Sequence, residues 1–303
     1  MKKFLGRLLM FLIVTAGAAY LLFPFASDQY LLYQNEALLK TYRESSARLD
    51  GEKAEEIKQA LADWNSQQTQ SGLVIARVIR QLRAQDPFHV KIDGGESPSD
   101  LLYTDANGVA GILEIPKISL TLPVYARRTE EHIASGLFWG PGSSLPVGGL
   151  GTHAMLAGSG GLAAPGALGN IGLKGPKMLE DLELLSEGDL FLFSCLDQTL
   201  VYRIEQIVKA PSNQTILLER SYNEDKMSLV SATRDGLRLI VSGTRADLGK
   251  SGGELLEANK AYEPGKFVRL MTFGAPVLAL GLLVMFIVER VMSRRYRLPT
   301  EIK

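Results

Sequence analysis

Cysteine is almost missing from this sequence: among 303 residues there is one, Cys195. A single thiol excludes an internal disulfide framework and any cysteine-rich metal site. Histidine is scarce as well, represented by His89, His132 and His153. No grouping of His, Asp and Glu has metal-ligand spacing, so neither a metal nor another cofactor is expected. A surplus of charge is also lacking. The chain carries 33 basic and 33 acidic side chains, for a formal net charge of +0. That balance argues against a nucleic-acid partner, which usually demands a basic surface. There is no internal repeat.

Long apolar runs, in contrast, are present at both ends. Leu8–Leu22 is uncharged and follows Lys2, Lys3 and Arg7. Leu270–Val288 is also uncharged and precedes Arg290, Arg294, Arg295 and Arg297. About twenty apolar residues at ~1.5 Å rise per residue span a ~30 Å hydrocarbon layer. Both runs therefore read as transmembrane helices. Their basic flanks place both termini in the cytoplasm, with Tyr30–Lys266 outside the cell membrane. Alternatively the first run is a signal peptide cleaved near Ala16-Gly17-Ala18. On either reading the central domain is exported.

Between these runs the texture changes once. Over Tyr30–Gln85 apolar residues recur at three, four and seven positions: Leu31, Leu38, Leu39 and Tyr42, then Ile57, Leu61 and Trp64, then Val74, Val78 and Leu82. This spacing predicts three amphipathic helices, separated at Asp50-Gly51 and at Ser66–Gly72. Asp86-Pro87-Phe88 stops the third helix, because proline disfavours a helical predecessor. From Gly111 onward short strands are expected at Ile112–Ile115, Leu120–Val124, Thr152–Ala157, Leu190–Leu196, Leu200–Ile207, Met227–Ser231 and Leu237–Val241, with a short helix at Met178–Leu185. Such a series, joined by turn-rich segments, suggests a closed or nearly closed all-β barrel.

Several strings in this region, taken in order, resemble class C sortases, the pilin-polymerising transpeptidases of Gram-positive bacteria. They are Leu113-Glu-Ile-Pro-Lys-Ile-Ser119 with Leu122-Pro-Val-Tyr125, Ser143-Ser-Leu-Pro-Val-Gly-Gly149 followed by Gly151-Thr-His-Ala154, Glu187-Gly-Asp189, and Leu200-Val-Tyr-Arg203. The resemblance implies a mainly β protein, an eight-stranded sortase-like barrel with N-terminal amphipathic helices, flanked by two membrane helices. The expected domains are a membrane anchor at 1–29, helices and a lid at 30–105, the barrel at 106–246, a linker at 247–266, a membrane helix at 267–291 and a cytoplasmic tail at 292–303.

Sortases act through a cysteine thiolate, a histidine and an arginine. Amide transfer needs a strong nucleophile, a proton donor for the leaving amine and a cation for the developing oxyanion. Aligned with that pattern, Ala232 stands at the nucleophile position and Ser159 at the histidine position, while Arg238 keeps the cation. Asp86-Pro87-Phe88 matches the family's Asp-Pro-aromatic lid, and Asp86 and Arg238 are expected to pair. The turn between Ala232 and Arg238 is about three residues shorter than in the family, which puts the aim of Arg238 in question. No substitute nucleophile is evident. Cys195 lies mid-strand and reads as a buried small hydrophobe. Ser231 adjoins the lost cysteine, but strand alternation turns it to the opposite face. His153 shares the parity of Ser159 yet lies six residues before it, and is read as structural. His132 is expected to be exposed, and His89 to lie beside the lid.

Two functions follow. The first is a catalytically inactive sortase-like membrane protein, an accessory in pilus or surface-protein assembly that binds pilin subunits, a sorting-signal peptide or an active sortase. The second is an active transpeptidase or hydrolase using non-standard groups.

Overall fold

The computed structural model describes residues 2–70, 102, 107–127, 129–140, 143–161, 169, 175–211, 223–233, 236–247, 286 and 290. The chain divides into two compact units. One comprises 1–28, 163–175 and 262–303; the other comprises 29–162 and 176–261 and holds the barrel.

Helix α1 spans Lys2–Ala47 and α2 spans Gly51–Gln70. The break between them falls at the expected Asp50-Gly51, where the amide of Ala54 donates to Asp50 O at 2.8 Å. The first helix, however, begins far earlier than the amphipathic pattern suggests. It runs without interruption across the expected boundary at residue 29 and contains Pro24. The apolar run and the amphipathic stripe have different compositions but the same helical hydrogen bonding, so the change in composition near residue 29, where the division into compact units also falls, lies inside one helix. Among the described residues no helix is long and apolar enough to cross a membrane. The third amphipathic stripe lies outside the described residues, as do the lid and His89, the second apolar run except Phe286, and most of the linker.

Eight strands form a closed barrel: β1 (Val109–Ile115), β2 (Leu120–Tyr125), β3 (Leu137–Trp139), β4 (Thr152–Ser159), β5 (Leu190–Cys195), β6 (Gln198–Pro211), β7 (Asp225–Ala232) and β8 (Leu237–Arg245). Their order around the barrel is β1-β2-β3-β4-β7-β8-β6-β5. The β2–β3 and β4–β7 pairs are parallel and the others antiparallel. Seven of these strands fall where the sequence places them. The eighth, Leu137-Phe138-Trp139, does not announce itself: three buried residues have no room for alternation. Residues 130–135 form a short helix, α3, whose N-cap Thr129 accepts from the amide of His132 at 3.1 Å. The helix expected at Met178–Leu185 is a 3-10 turn over Glu180–Leu184.

Alternation along the strands sorts the side chains into two layers. Leu113, Leu122, Leu156, Phe191, Phe193, Tyr202, Leu229, Leu239 and Val241 belong to one large buried cluster that fills the barrel. Each fully buried side chain of this kind contributes about 1.5–3 kcal/mol. Phe138, Met155, Ala157, Val230 and Ile240 form a second, smaller cluster, against which Ala232 packs. The two faces of β4, β7 and β8 are therefore both covered, which is why these strands read as nearly continuous apolar runs.

The helices are fastened to the barrel by polar clamps as well as by packing. The Tyr42 hydroxyl donates to Ala110 O at 3.2 Å and accepts from Leu196 N at 3.1 Å. The Asn65 side-chain amide embraces Leu145, donating to its carbonyl at 3.1 Å and accepting from its amide at 2.8 Å. Leu39 and Tyr42 pack on Val109, Ile112 and Tyr125, and Leu61 joins the main core.

Candidate functional site

Strands β4, β7 and β8 lie side by side, and their register decides the geometry of the site. Ser159 pairs with Ala232 across the parallel β4–β7 ladder. Ala232 in turn pairs with Arg238 across the antiparallel β7–β8 ladder. Directly opposed residues on neighbouring strands point to the same face of a sheet. The three positions singled out from the sequence are thus three consecutive members of one cross-strand row. The short connection after Ala232 does not displace Arg238: Thr233 N and Thr233 Oγ1 both bond to Leu237 O, at 3.1 and 2.8 Å, and close the hairpin with that pairing intact.

The chemistry available in this row is limited. Ala232 presents a methyl group, packed beside the smaller apolar cluster. The Ser159 hydroxyl donates to Gly161 O at 2.9 Å and accepts from Gly161 N at 3.3 Å, so it shapes the strand end. Arg238 is buried, at 9% exposure, and its Nη1 donates to Leu237 O at 3.4 Å. The row supplies a buried cation, and its three members include no thiol and no imidazole. Immediately past Ser159 the parallel ladder continues through Gly160 N to Ala232 O at 3.0 Å. A Cβ on Gly160 would stand 2.7 Å from Ala232 O, so only glycine allows this approach.

The other candidates fall elsewhere. Ser231 turns to the opposite side of β7 from Ala232, as alternation requires, and pairs with Gly158 and Leu239. Cys195 is fully buried in the main core, where Sγ lies 3.5 Å from Pro146 O. Burial pushes its thiol up to about 12, which holds it neutral and unreactive at physiological pH. His153 is buried, and its Nε2 lies 2.7 Å from Ser228 Oγ, which meets Ser242 Oγ at 2.8 Å. That chain of contacts sits towards the opposite end of the same three strands. The expectation for His132 needs correction. It is half-buried rather than exposed, stacked on Tyr125 with ring centroids 3.9 Å apart, with Nδ1 2.9 Å from Arg127 O. Tyr125 lies seven positions before it, so the strand-to-helix turn between them makes the contact, and the local sequence gives no sign of it. The expected pairing of Asp86 with Arg238 lies outside the described residues.

One feature of this end was not visible in the sequence. Gly160, Leu179, Glu180, Glu183, Ser231, Thr233 and Leu239 line a pocket of about 240 Å³. Its residues come from four separate segments, and only the barrel register brings them together. Among the described residues no group of three or more His, Cys, Asp or Glu is placed to hold a metal ion.

Comparison with known proteins bears on this geometry. Residues 113–246 match the sortase domain. Sortase C1 of Streptococcus agalactiae is similar in structure, with 25% identity and a TM-score of 0.56 over 70% of this chain and 97% of that one. Sortase C of Streptococcus pneumoniae, a protein described with its pilin substrate specificity, gives 25% identity and a TM-score of 0.55 over 70% and 97%. Sortase C-1 of Streptococcus pneumoniae gives 26% and 0.55 over 70% and 98%. No curated protein matches the chain significantly. The sortase domain thus contains the whole Ser159–Ala232–Arg238 row, and the structural neighbours are class C, pilin-related sortases.

Proposed function

We propose that this chain is a catalytically silent class C sortase-like protein, anchored in the cell membrane, that serves as an accessory in pilus or surface-protein assembly. The observation that carries the proposal is the cross-strand row Ser159–Ala232–Arg238. A sortase barrel is kept, with its cation in register, around a methyl group and a hydroxyl that is tied to its own strand end. Its partners are pilin subunits, a sorting-signal peptide or an active sortase, by analogy with the pilin substrates of the neighbours.

Anchoring is argued from sequence. Leu8–Leu22 and Leu270–Val288 are apolar runs with basic outer flanks, which would place both termini in the cytoplasm and the barrel outside. Leu9, Ile13 and Leu21 of the first run are each about 60% exposed on α1, as residues facing lipid would be. The lid, Asp86-Pro87-Phe88, would close over the row.

The full-length protein in detergent, incubated with a sorting-signal peptide, should bind the peptide without cleaving it. Turnover that disappears on Ser231→Ala or Cys195→Ala would overturn the accessory reading and establish an enzyme with non-standard groups. A second experiment rebuilds the row. Ala232→Cys combined with Ser159→His should create a thiol reactive toward that peptide. A thiol that stays inert and titrates near the unperturbed ~8.5 would show that the row no longer forms a sortase cleft.

A further inference from the structure

The first turns of α1 that pack on the barrel carry a surface of their own. Over Gln29–Asn35, between Asp28 and Glu36, the helix has no charge. Leu31 and Asn35 are buried, Leu31 in the main core and Asn35 donating from Nδ2 to Ser135 O at 3.0 Å. On the other sides of the helix Tyr30, Leu32 and Tyr33 stand out, at 62%, 43% and 74% exposure. Tyr30 and Tyr33 are three positions apart and so share one side. Beyond them the exposed surface is charged again, with Lys40 3.9 Å from Glu44. Single exposed apolar residues are ordinary on a protein surface. Three within one uncharged turn form a patch, and a patch marks a contact surface.

What covers the patch follows from the helix that carries it. Leu8–Ser27 is uncharged, and at ~1.5 Å per residue it is about 30 Å long, the thickness of a hydrocarbon layer. Tyr30 and Tyr33 come about 5 and 9 Å of helical rise after its end, and a headgroup layer adds about 5–8 Å on each face of the hydrocarbon. We propose that Tyr30, Leu32 and Tyr33 are seated in the outer headgroup layer of a lipid bilayer, so that the barrel stands on the membrane surface itself instead of on a stalk. A phenol suits that layer, because its ring favours the apolar side and its hydroxyl the wet side. Gln34 Nε2 donates to the Tyr30 hydroxyl at 2.8 Å, from the next turn away from the apolar run. A second copy of the chain fits worse, since three side chains on one turn offer far less than the roughly 800 Å² per partner of a stable interface. The proposal rests on the membrane anchoring proposed above, and adds where the bilayer ends on this helix: between Ser27 and Glu36.

The full-length protein in phosphatidylcholine liposomes tests it. Ile13→Cys, Leu32→Cys and Thr41→Cys, made one at a time at exposed positions, each accept a small environment-sensitive fluorophore, while the buried Cys195 stays unlabelled. Quenching is then read with a nitroxide on the lipid headgroup or at mid-chain. The label at position 32 should be quenched most by the headgroup nitroxide and the label at 13 by the chain nitroxide. The label at 41, about 13 Å further along the helix than position 32, should be quenched by neither. Tyr30→Ser combined with Tyr33→Ser should cut headgroup quenching at position 32 about twofold. Both tyrosines are exposed, so this pair of changes leaves the barrel folded. Chain quenching at 13 without headgroup quenching at 32 would overturn the proposal and leave the anchoring standing. No chain quenching at 13 would overturn the anchoring and the proposal together. A label at 32 that is shielded from water yet quenched by neither nitroxide would overturn it in favour of a protein partner. Equal quenching at 32 and 41, or indifference to the loss of both tyrosines, would overturn it as well.

Discussion

Strands β4, β7 and β8 have two ends built from different kinds of residue. At the end carrying Thr152, Asp225 and Thr244, polar side chains are buried and bonded to one another. The Asp225 carboxylate accepts from Gly149 N at 3.0 Å, Tyr202 OH at 3.0 Å and Thr152 Oγ1 at 3.3 Å. One layer further in, His153, Ser228 and Ser242 form a continuous chain. At the other end stand Ser159, Gly160 and Ala232, small residues whose polar contacts are local. On the function proposed above, that second end would be where a sortase carries its reactive groups. The contrast separates two demands on one sheet. Buried polar networks fix register, because each unpaired member would be costly. Reactive groups at a strand end add little to register, so they can be replaced by small residues while the sheet stays as it is.

The comparison predicts very unequal costs of substitution. Asp225→Ala should be the most damaging change. It strands the Tyr202 hydroxyl and the Gly149 amide at once, while Thr152 keeps its bond to Gly149 O at 2.6 Å, for a loss of about 3–5 kcal/mol. Urea unfolding would measure it, and a loss below about 1 kcal/mol would mean that register is held elsewhere. His153→Ala should cost about 2–3 kcal/mol, from the cavity and from the Ser228 hydroxyl left facing it. Restoring the hydrogen bond with a different side chain, as in His153→Asn, should recover part of that loss if the contact with Ser228 is what matters.

The single thiol gives the comparison a pH axis. Burial raises the Cys195 pKa from 9.0 to about 12. The neutral thiol is the folded form, so its contribution to stability is complete below pH 9. It is lost as pH rises from about 9 toward 12, at up to about 1.4 kcal/mol per unit. Cys195→Ala should flatten that part of the stability curve. In the folded protein Cys195 should resist alkylation at pH 8, whereas the thiol of Ala232→Cys, at the partly exposed strand end, should react.

Much of this was legible in the sequence, for physical reasons that can be named. The seven longer strands show because apolar or alternating runs of six or more residues are bounded by turn residues. Ser159, Ala232 and Arg238 were found through motif order, and pairing across two ladders then put them in one row. What stayed hidden depends on contacts between distant segments. β3 is too short for a pattern and exists because Val124 and Tyr125 pair with Leu137 and Phe138. The His132–Tyr125 stack and the pocket of Glu180, Glu183 and Ser231 arise only after the barrel closes. The continuity of α1 through residue 29 was hidden for the opposite reason. Its local helical signal is continuous, and the change in composition at residue 29 marks no change in backbone.

The smallest expected effects are the sharpest test of the contrast. Ser159→Ala removes a hydroxyl that bonds, among the described residues, to the backbone atoms of Gly161, two residues on. Its cost should be about 1 kcal/mol or less, the net worth of one partly exposed hydrogen bond. Ala232→Ser adds an oxygen at a half-buried strand end and should fall within about 0.5 kcal/mol of the parent. Gly160 marks where this tolerance stops. Gly160→Ala drives a methyl toward Ala232 O and the Ser231 hydroxyl and must part the ends of β4 and β7, at about 1–3 kcal/mol. The three variants, compared in one urea series, should therefore order as Ala232→Ser, then Ser159→Ala, then Gly160→Ala. If Ser159→Ala instead matched His153→Ala, the strand end would itself be part of what holds the sheet in register. The small residues there would then be a structural requirement, not a choice the framework merely tolerates.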